Sequence, residues 1–529
     1  MKRLQVWIPL LFSLVLVAGM MIGSDIRKNI PETRGIFDTR KRSSLQKVVD
    51  LLNLYYVDKV DTDTLADEAI QAMLNQLDPH SVYIPPSYLA ELNEDLQGNF
   101  EGIGVEFYII EDTVHIINVL PNGPSDKAGL KIGDKFLKVE DSVVAGNNID
   151  GDKIKSLLRG PGASKVRVTV MRNGEPVETV ITRGTIPLYS VDASYMIDNE
   201  TGYIHLNKFS STTYEEFMQA MEDLQKQGMK KLVFDLRGNG GGILGEAVDI
   251  ADEFLSGNKL IVYTQGDKQK KINYECKRPG LFETGELVLL VDENSASASE
   301  VVAGALQDWD RAKIVGRRTF GKGLVQEQFD LGDGSALRLT VARYYTPLGR
   351  NIQKPYDRGR EAYREDISNR YLNGELVNGD TVTAYKIGPE FKTPGGRIVY
   401  GGGGITPDYF IPFDTTRLSS NVYALIDAQL FGRFIYSYYL QHMDYFQRFN
   451  NPREFAARFD KLDDAWNSLL VYAARQGVKV GEIPAQDRRQ IEKRIKVWLA
   501  RQIWRTQGFY EVVNMDDPGV LTALEVLKK

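Results

Sequence analysis

The residues best placed to do chemistry lie in one short stretch, residues 287–306, LVLLVDENSASASEVVAGAL. Ser295, Ser297 and Ser299 offer three hydroxyls, separated by alanines. The five apolar residues before them, Leu287 to Val291, form a run whose length suits a buried strand. Asp292, Glu293 and Asn294 break that run, and Val301, Val302, Ala305 and Leu306 then recur at helical spacing. A strand, a sharp turn and a helix start together present a nucleophile. The hydroxyl sits at the turn, and the first free N–H groups of the helix face whatever it attacks. A serine here can equally do no more than cap the helix, and this stretch alone does not choose among the three.

A second stretch, residues 320–326, reads FGKGLVQ. Lys322 has a glycine on each side, so other backbone can approach it closely. A serine hydroxyl is a weak nucleophile until a base takes its proton. A lysine does this only as the neutral amine, which at its ordinary pKa is roughly 0.04% of the population at pH 7. Burial among apolar groups lowers that pKa, and Phe320, Leu324 and Val325 are the neighbours such a site needs. Gln326 can orient the amine without adding the negative charge that would keep it protonated.

Ser297, Lys322 standing 25 residues later and Gln326 four further on resemble the catalytic centre of the carboxyl-terminal processing, or tail-specific, proteases. Other segments follow in that family's order: LDPHSVY at 77–83, GIGV at 102–105, KAGLKIGDKFLKVE at 127–140, DLRGNGGG at 235–242, YYTPLGRNIQ at 344–353 and GGGGITPD at 401–408. A lone SAS or GKG carries little weight, whereas this ordered set is specific. The resemblance implies Ser297 as nucleophile, Lys322 as base and Gln326 as its orienting partner. It implies an oxyanion hole made by the Ala298 amide and that of Gly241 or Gly242. It also implies a multidomain α/β fold, in which a crotonase/ClpP-like protease core carries an inserted β-rich PDZ domain and an N-terminal helical cap; the C-terminal all-helical domain is read instead from helical spacing, as in Ile491, Ile495, Trp498, Leu499 and Ile503 on one face. The scheme uses no metal and no organic cofactor.

These elements divide the 529 residues. Residues 98–186 read as the PDZ domain: alternating strands, an Asn-Gly turn after KVRVTVMR and a helix near 150–158. PDZ domains add a peptide end as a strand to a sheet edge, and Gly102, Ile103, Gly104 and Val105 stand where the terminal carboxylate is held. Residues 187–413 alternate short apolar runs with helical segments, as an α/β core does. Within them, 356–397 reads as a charged, loop-like insertion. DLRGNGGG lacks both the Gly-Lys-Ser/Thr ending of a phosphate loop and the dinucleotide register. His80 reads as a structural hydrogen-bonding residue rather than a base. Residues 25–97 read as a tether followed by two helices. Residues 414–529 read as a helical bundle on the core, the alternative being a surface for self-association or an adaptor.

A net charge of −6 with 26% charged residues sets nucleic acid aside as a partner. The single cysteine, Cys276, excludes an internal disulfide. Met1-Lys2-Arg3 precedes an uncharged run at 4–24, long enough to cross a bilayer. It reads as an uncleaved inner-membrane anchor with the protease facing the periplasm, in preference to a cleaved signal. The expected activity is therefore that of an exported serine endopeptidase acting on proteins or peptides with free apolar C-termini. Two other classes share parts of the pattern. A catalytically dead PDZ scaffold is opposed by the intact Ser297, Lys322 and Gln326, and a crotonase-like acyl-CoA enzyme by the export segment and the PDZ domain.

Overall fold

The computed structural model describes residues 43–378 and 388–529. The proposed anchor at 4–24 and the tether lie outside them. Among the described residues no helix is long and apolar enough to cross a membrane.

The chain divides between Gln76 and Leu77, so the region read as one part, 25–97, is split. The first unit holds helices Ser43–Tyr55 and Thr62–Leu74, the second capped by the Asp61 carboxylate on two N–H groups. Val48, Leu51 and Leu54 on the first helix stay more than half exposed.

In the second unit, the PDZ domain is an antiparallel sheet in the order Val105–Ile110, Thr113–Val119, Lys135–Val139, Lys165–Arg172, Glu175–Thr182. Alternation decides its faces: Val166, Val168 and Val170 are fully buried, and Phe136, Val114, Ile154 and Leu158 join them. Asn173 and Gly174 both take positive φ, at 51° and 86°, the backbone that a tight two-residue hairpin turn requires. The domain is entered and left through one antiparallel pair, Asn99–Gly102 with Gly184–Pro187.

The core sheet runs Val191–Met196, Thr201–Leu206, Lys231–Asp235, Glu286–Val291, Lys313–Gly316, Tyr409–Phe410, parallel after the first pair. Strands Lys231–Asp235 and Glu286–Val291 are buried on both faces, which explains their apolar runs LVF and LVLLV. Helices Thr213–Lys226, Leu244–Asp252 and Ala298–Asp308 cover one face. The other face packs Tyr203, Val233, Val288, Leu290 and Val315 against Val520, Ala523 and Leu527 of the last helix, Pro518–Val526, and its cap. A second sheet pairs Ala336–Tyr345 with Val82–Ile84, Leu260–Gln265 and Leu324–Asp330.

One expectation needs correction. The 356–397 segment is not loop-like: it forms helices Arg360–Arg364, Asp366–Leu372 and Glu375–Asn378 and strand Glu390–Lys392, and it buries Tyr363, Arg370, Glu375 and Leu376. Its charges mislead because they pair inside, Arg318 with Glu375 at 2.7 Å and Arg370 with Asp366 at 2.8 Å. The region 414–529 is helical, as its apolar spacing predicts, and packs on the core. A bundle built on Phe431, Phe434, Leu469, Ile491, Ile495 and Leu499 accounts for most of it. Helix Ala485–Val513 then breaks at Trp504 and Arg505, and beyond the break Tyr510 and the last helix pack on the core's second face.

Candidate active site

Strand Glu286–Val291 delivers the turn and helix Ala298–Asp308 leaves it, as the apolar periodicity requires. The three serines separate cleanly there. Ser295 is fully buried and donates its hydroxyl to the Leu236 carbonyl at 2.8 Å. Ser299 is fully buried and donates to the Asn239 carbonyl at 2.9 Å. Ser297 alone of the three remains partly exposed, at φ 55° and ψ −112°, a backbone that a residue with a Cβ rarely adopts. It lines a cavity of about 370 Å³ together with Gly242, Ala298, Lys322, Gln326, Arg338 and Tyr344.

Lys322 leads into strand Leu324–Asp330, where a bulge between Val325 and Gln326 shifts the register against Ala336–Tyr345. The result places Gln326 against the amine: Lys322 Nζ donates to Gln326 Oε1 at 3.1 Å, and Gln326 Nε2 donates to the His80 carbonyl at 2.6 Å. Burial, reinforced by the Arg338 charge, holds the Lys322 pKa below its ordinary value. His80 contributes its backbone to this chain. Its imidazole Nε2 lies 2.8 Å from the Tyr363 hydroxyl, and burial with the Lys322 charge depresses its pKa to about 4, so the ring is neutral near pH 7.

One fully buried carboxylate ties the two loops together. Glu300 Oε2 accepts the N–H groups of Ser297 at 2.9 Å and Lys322 at 2.8 Å, and Oε1 accepts Gly321 N–H at 2.7 Å and the Thr319 hydroxyl. Burial raises the Glu300 carboxyl pKa against the pull of these four donors. Tyr344 adds a hydroxyl shared between the carbonyls of Ser297 and Lys322. Sequence reasoning missed Glu300 and Tyr344. The signal for Glu300 was present, since Ser297-x-x-Glu300 has the spacing of a capping box.

The DLRGNGGG loop lies on the other side of Ser297. Asn239 accepts the Ala296 N–H and the Ser299 hydroxyl on its carbonyl, and its Oδ1 takes the Gly241 N–H at 2.8 Å. Gly242 runs beside Phe209, where a Cβ would meet the Phe209 carbonyl oxygen at 2.1 Å, so only glycine fits. Among the described residues the N–H groups of Gly242 and Ala298 meet no acceptor, while that of Gly241 is committed.

In the PDZ domain, Gly102, Ile103, Gly104 and Val105 link the entry strand to the edge strand. The carbonyls of Ile103 and Gly104 are taken by Ser125 and Leu120 N–H, whereas their own N–H groups meet no acceptor among the described residues. Among the described residues no group of His, Cys, Asp or Glu is placed to hold a metal ion.

Several parts of the chain match known families and proteins. Residues 200–359 match the profile of peptidase family S41, residues 102–182 that of a PDZ domain, and residues 25–86 that of the activating protease CtpB N-terminal domain. Residues 422–505 match a family of unknown function, DUF8443. A carboxy-terminal-processing protease of Bartonella bacilliformis is 34% identical over 313 residues, covering 58% of this chain and 71% of that protein. A probable CtpA-like serine protease of Staphylococcus aureus is 35% identical over 318 residues, 60% of this chain and 63% of that one, so the match spans a little less than two thirds of the staphylococcal protein. The solved photosystem II D1 C-terminal processing protease is 32% identical with a TM-score of 0.35, covering 59% of this chain and 84% of that one. The chain belongs to peptidase family S41, the carboxy-terminal-processing serine proteases, and it carries their PDZ domain.

Proposed function

We propose that this chain is an endopeptidase that selects proteins by a free, apolar C-terminal end and cuts them by acyl transfer at Ser297. The observation that carries the reading is the pairing at Lys322. An amine held by the neutral Gln326 Oε1, in a desolvated cavity shared with the one partly exposed serine of the turn, is a base rather than a counter-ion. The core in this reading is of the crotonase/ClpP-like type.

Ser297 attacks the scissile carbonyl, and its proton passes to Lys322 Nζ. The N–H groups of Ala298 and Gly242 hold the oxyanion. Gly242 takes this role rather than Gly241, because the Gly241 N–H is already engaged by Asn239. Lys322 then protonates the leaving amine; neutral again, it takes a proton from the water that attacks the acyl carbonyl and returns it to Ser297 Oγ as the ester bond breaks. Ile243, Leu244, Val301, Leu324 and Val325 line the cavity, which favours apolar side chains beside the cut.

The PDZ domain is of the class that binds peptide C-termini. The unengaged N–H groups of Ile103 and Gly104 suit a terminal carboxylate. The uncharged run at 4–24 behind a basic flank supports an inner-membrane anchor with the protease in the periplasm. Recovery of intact protein from the soluble cytosolic fraction would reject that location.

The test of tail selection uses one unfolded substrate in two forms, ending either in a free apolar residue or in Asp-Asp. The apolar end should be cut faster, and the preference should fade in a variant lacking residues 98–186. Equal rates in the intact enzyme refute tail selection.

A further inference from the structure

Residues 506–529 lie beyond every region matched to a known family, yet they reach the loop that carries Gly242. Asp517, which caps helix Pro518–Val526 by accepting Val520 N–H at 2.9 Å, also accepts Arg237 Nη1 on both oxygens at 2.9 and 3.0 Å. The same guanidinium is held from within by Asp235, a fully buried carboxylate, through Nε at 3.0 Å and Nη2 at 2.6 Å. A second tie reaches the backbone of the same residue. The Tyr510 hydroxyl lies 3.1 Å from His205 Nε2, which stands 3.3 Å from the Arg237 carbonyl, and the two rings stack at 4.1 Å.

We propose that Asp517 is a positioning residue for hydrolysis, fixing through Arg237 the loop that presents the Gly242 N–H to the oxyanion. Arg237 stands five residues before Gly242, and the backbone between them is pinned at several points. Gly238 N–H donates to Asp292 at 3.0 Å, the Asn239 amide spans from Leu206 to Gly241, and the Asn239 carbonyl holds the Ser297 loop through Ala296 and Ser299. Those anchors come from the protease core's own strands and turns, whereas Arg237 is also anchored from the C-terminal segment. Room for that anchor is built in at Gly519, where a Cβ would stand 3.2 Å from Arg237 Nη1. The C-terminal segment therefore completes the hydrolytic site of a core whose nucleophile and base lie about two hundred positions upstream, on the order of a whole domain's length. An oxyanion donor acts through tenths of an ångström, because its worth depends on meeting the charge where it develops.

The inference rests on the proposed acyl-transfer reading, and the experiment separates the two. Asp517→Ser is the chosen variant, because serine still caps a helix but is too short and uncharged to hold Arg237. Steady-state cleavage of an apolar-ended peptide is measured with wild type, Ser297→Ala, Asp517→Ser, Asp517→Glu and Val520→Ala, each with its melting temperature. Asp517→Ser should lose about tenfold or more in kcat with KM within about twofold, since the interaction lost is one made in the transition state. Asp517→Glu should recover a large part of that loss, and the acid limb of the pH profile should stay where wild type has it. Val520→Ala removes packing at the same interface and should lower the melting temperature while keeping kcat. Wild-type kcat in Asp517→Ser overturns the proposal, as does a kcat loss in Val520→Ala equal to that in Asp517→Ser. Cleavage by wild type that Ser297→Ala abolishes upholds the acyl-transfer reading whichever way Asp517 behaves. Absence of cleavage by wild type overturns both.

Discussion

Glu300 Oε2 accepts the backbone N–H of Ser297 at 2.9 Å and that of Lys322 at 2.8 Å, so one buried oxygen sets the spacing between the proposed nucleophile and its base. The two residues lie on different elements, a helix start and the approach to a strand. A shared acceptor between them converts sequence separation into fixed geometry.

Glu300→Ala should therefore leave four donors without an acceptor at a fully buried position, at a cost of about 3 kcal/mol or more. Glu300→Gln keeps the size but turns an amide N–H₂ toward N–H groups, and it should lower kcat by about tenfold or more with a smaller loss of stability. Thermal melts and steady-state rates on the two variants check this. Wild-type kcat in Glu300→Gln would show that the carboxylate does not set the spacing.

The rate should depend on pH through Lys322. A base acts in its neutral form, so activity falls as pH drops through the pKa of the folded amine. Burial and Arg338 place that pKa below the ordinary lysine value of 10.5, and the limb should lie below it too. His80 is not the source of the limb, because its pKa is displaced to about 4. His80→Asn should retain the limb's position, since the carbonyl that holds Gln326 survives the substitution. A pH–rate profile whose acid limb vanishes in His80→Asn would reassign the base.

Gln326→Glu isolates the electrostatics. A carboxylate 3.1 Å from Nζ stabilises the ammonium form and raises the lysine pKa. The acid limb should move to higher pH by about a unit or more, with kcat lower at neutral pH and partly restored under alkaline conditions. An unmoved limb would mean that the amine of Lys322 is not what titrates.

Much of this site was legible in the sequence because its parts are local. An apolar run, a polar break and helical spacing place Ser295, Ser297 and Ser299 at a turn, the resemblance to the tail-specific proteases singles out Ser297, and the glycines around Lys322 announce close backbone approach. Pairing across distance stayed hidden. Nothing near Gln326 says that its partner is the carbonyl of His80, because that contact depends on a one-residue bulge and on Val82–Ile84 pairing with Ala336–Tyr345. The charged segment around Arg370 read as a loop for the same reason. Its guanidinium is spent on the carbonyls of Arg318, Thr319 and Phe320, just before Lys322, where no local pattern points. Gly241 and Gly242 also look alike in the sequence, and what separates their N–H groups is a contact of the fold, the Asn239 side chain that takes that of Gly241.

The most direct measurement is at Ser297 itself. Treatment with a fluorophosphonate, followed by peptide mass mapping, should place the phosphonyl group on Ser297 in wild type, and Ser297→Ala should lose both the label and cleavage while keeping its thermal melt. Ser295→Ala and Ser299→Ala should keep measurable activity, because their hydroxyls are spent on Leu236 and Asn239. A label on another serine, or wild-type cleavage by Ser297→Ala, would contradict the account.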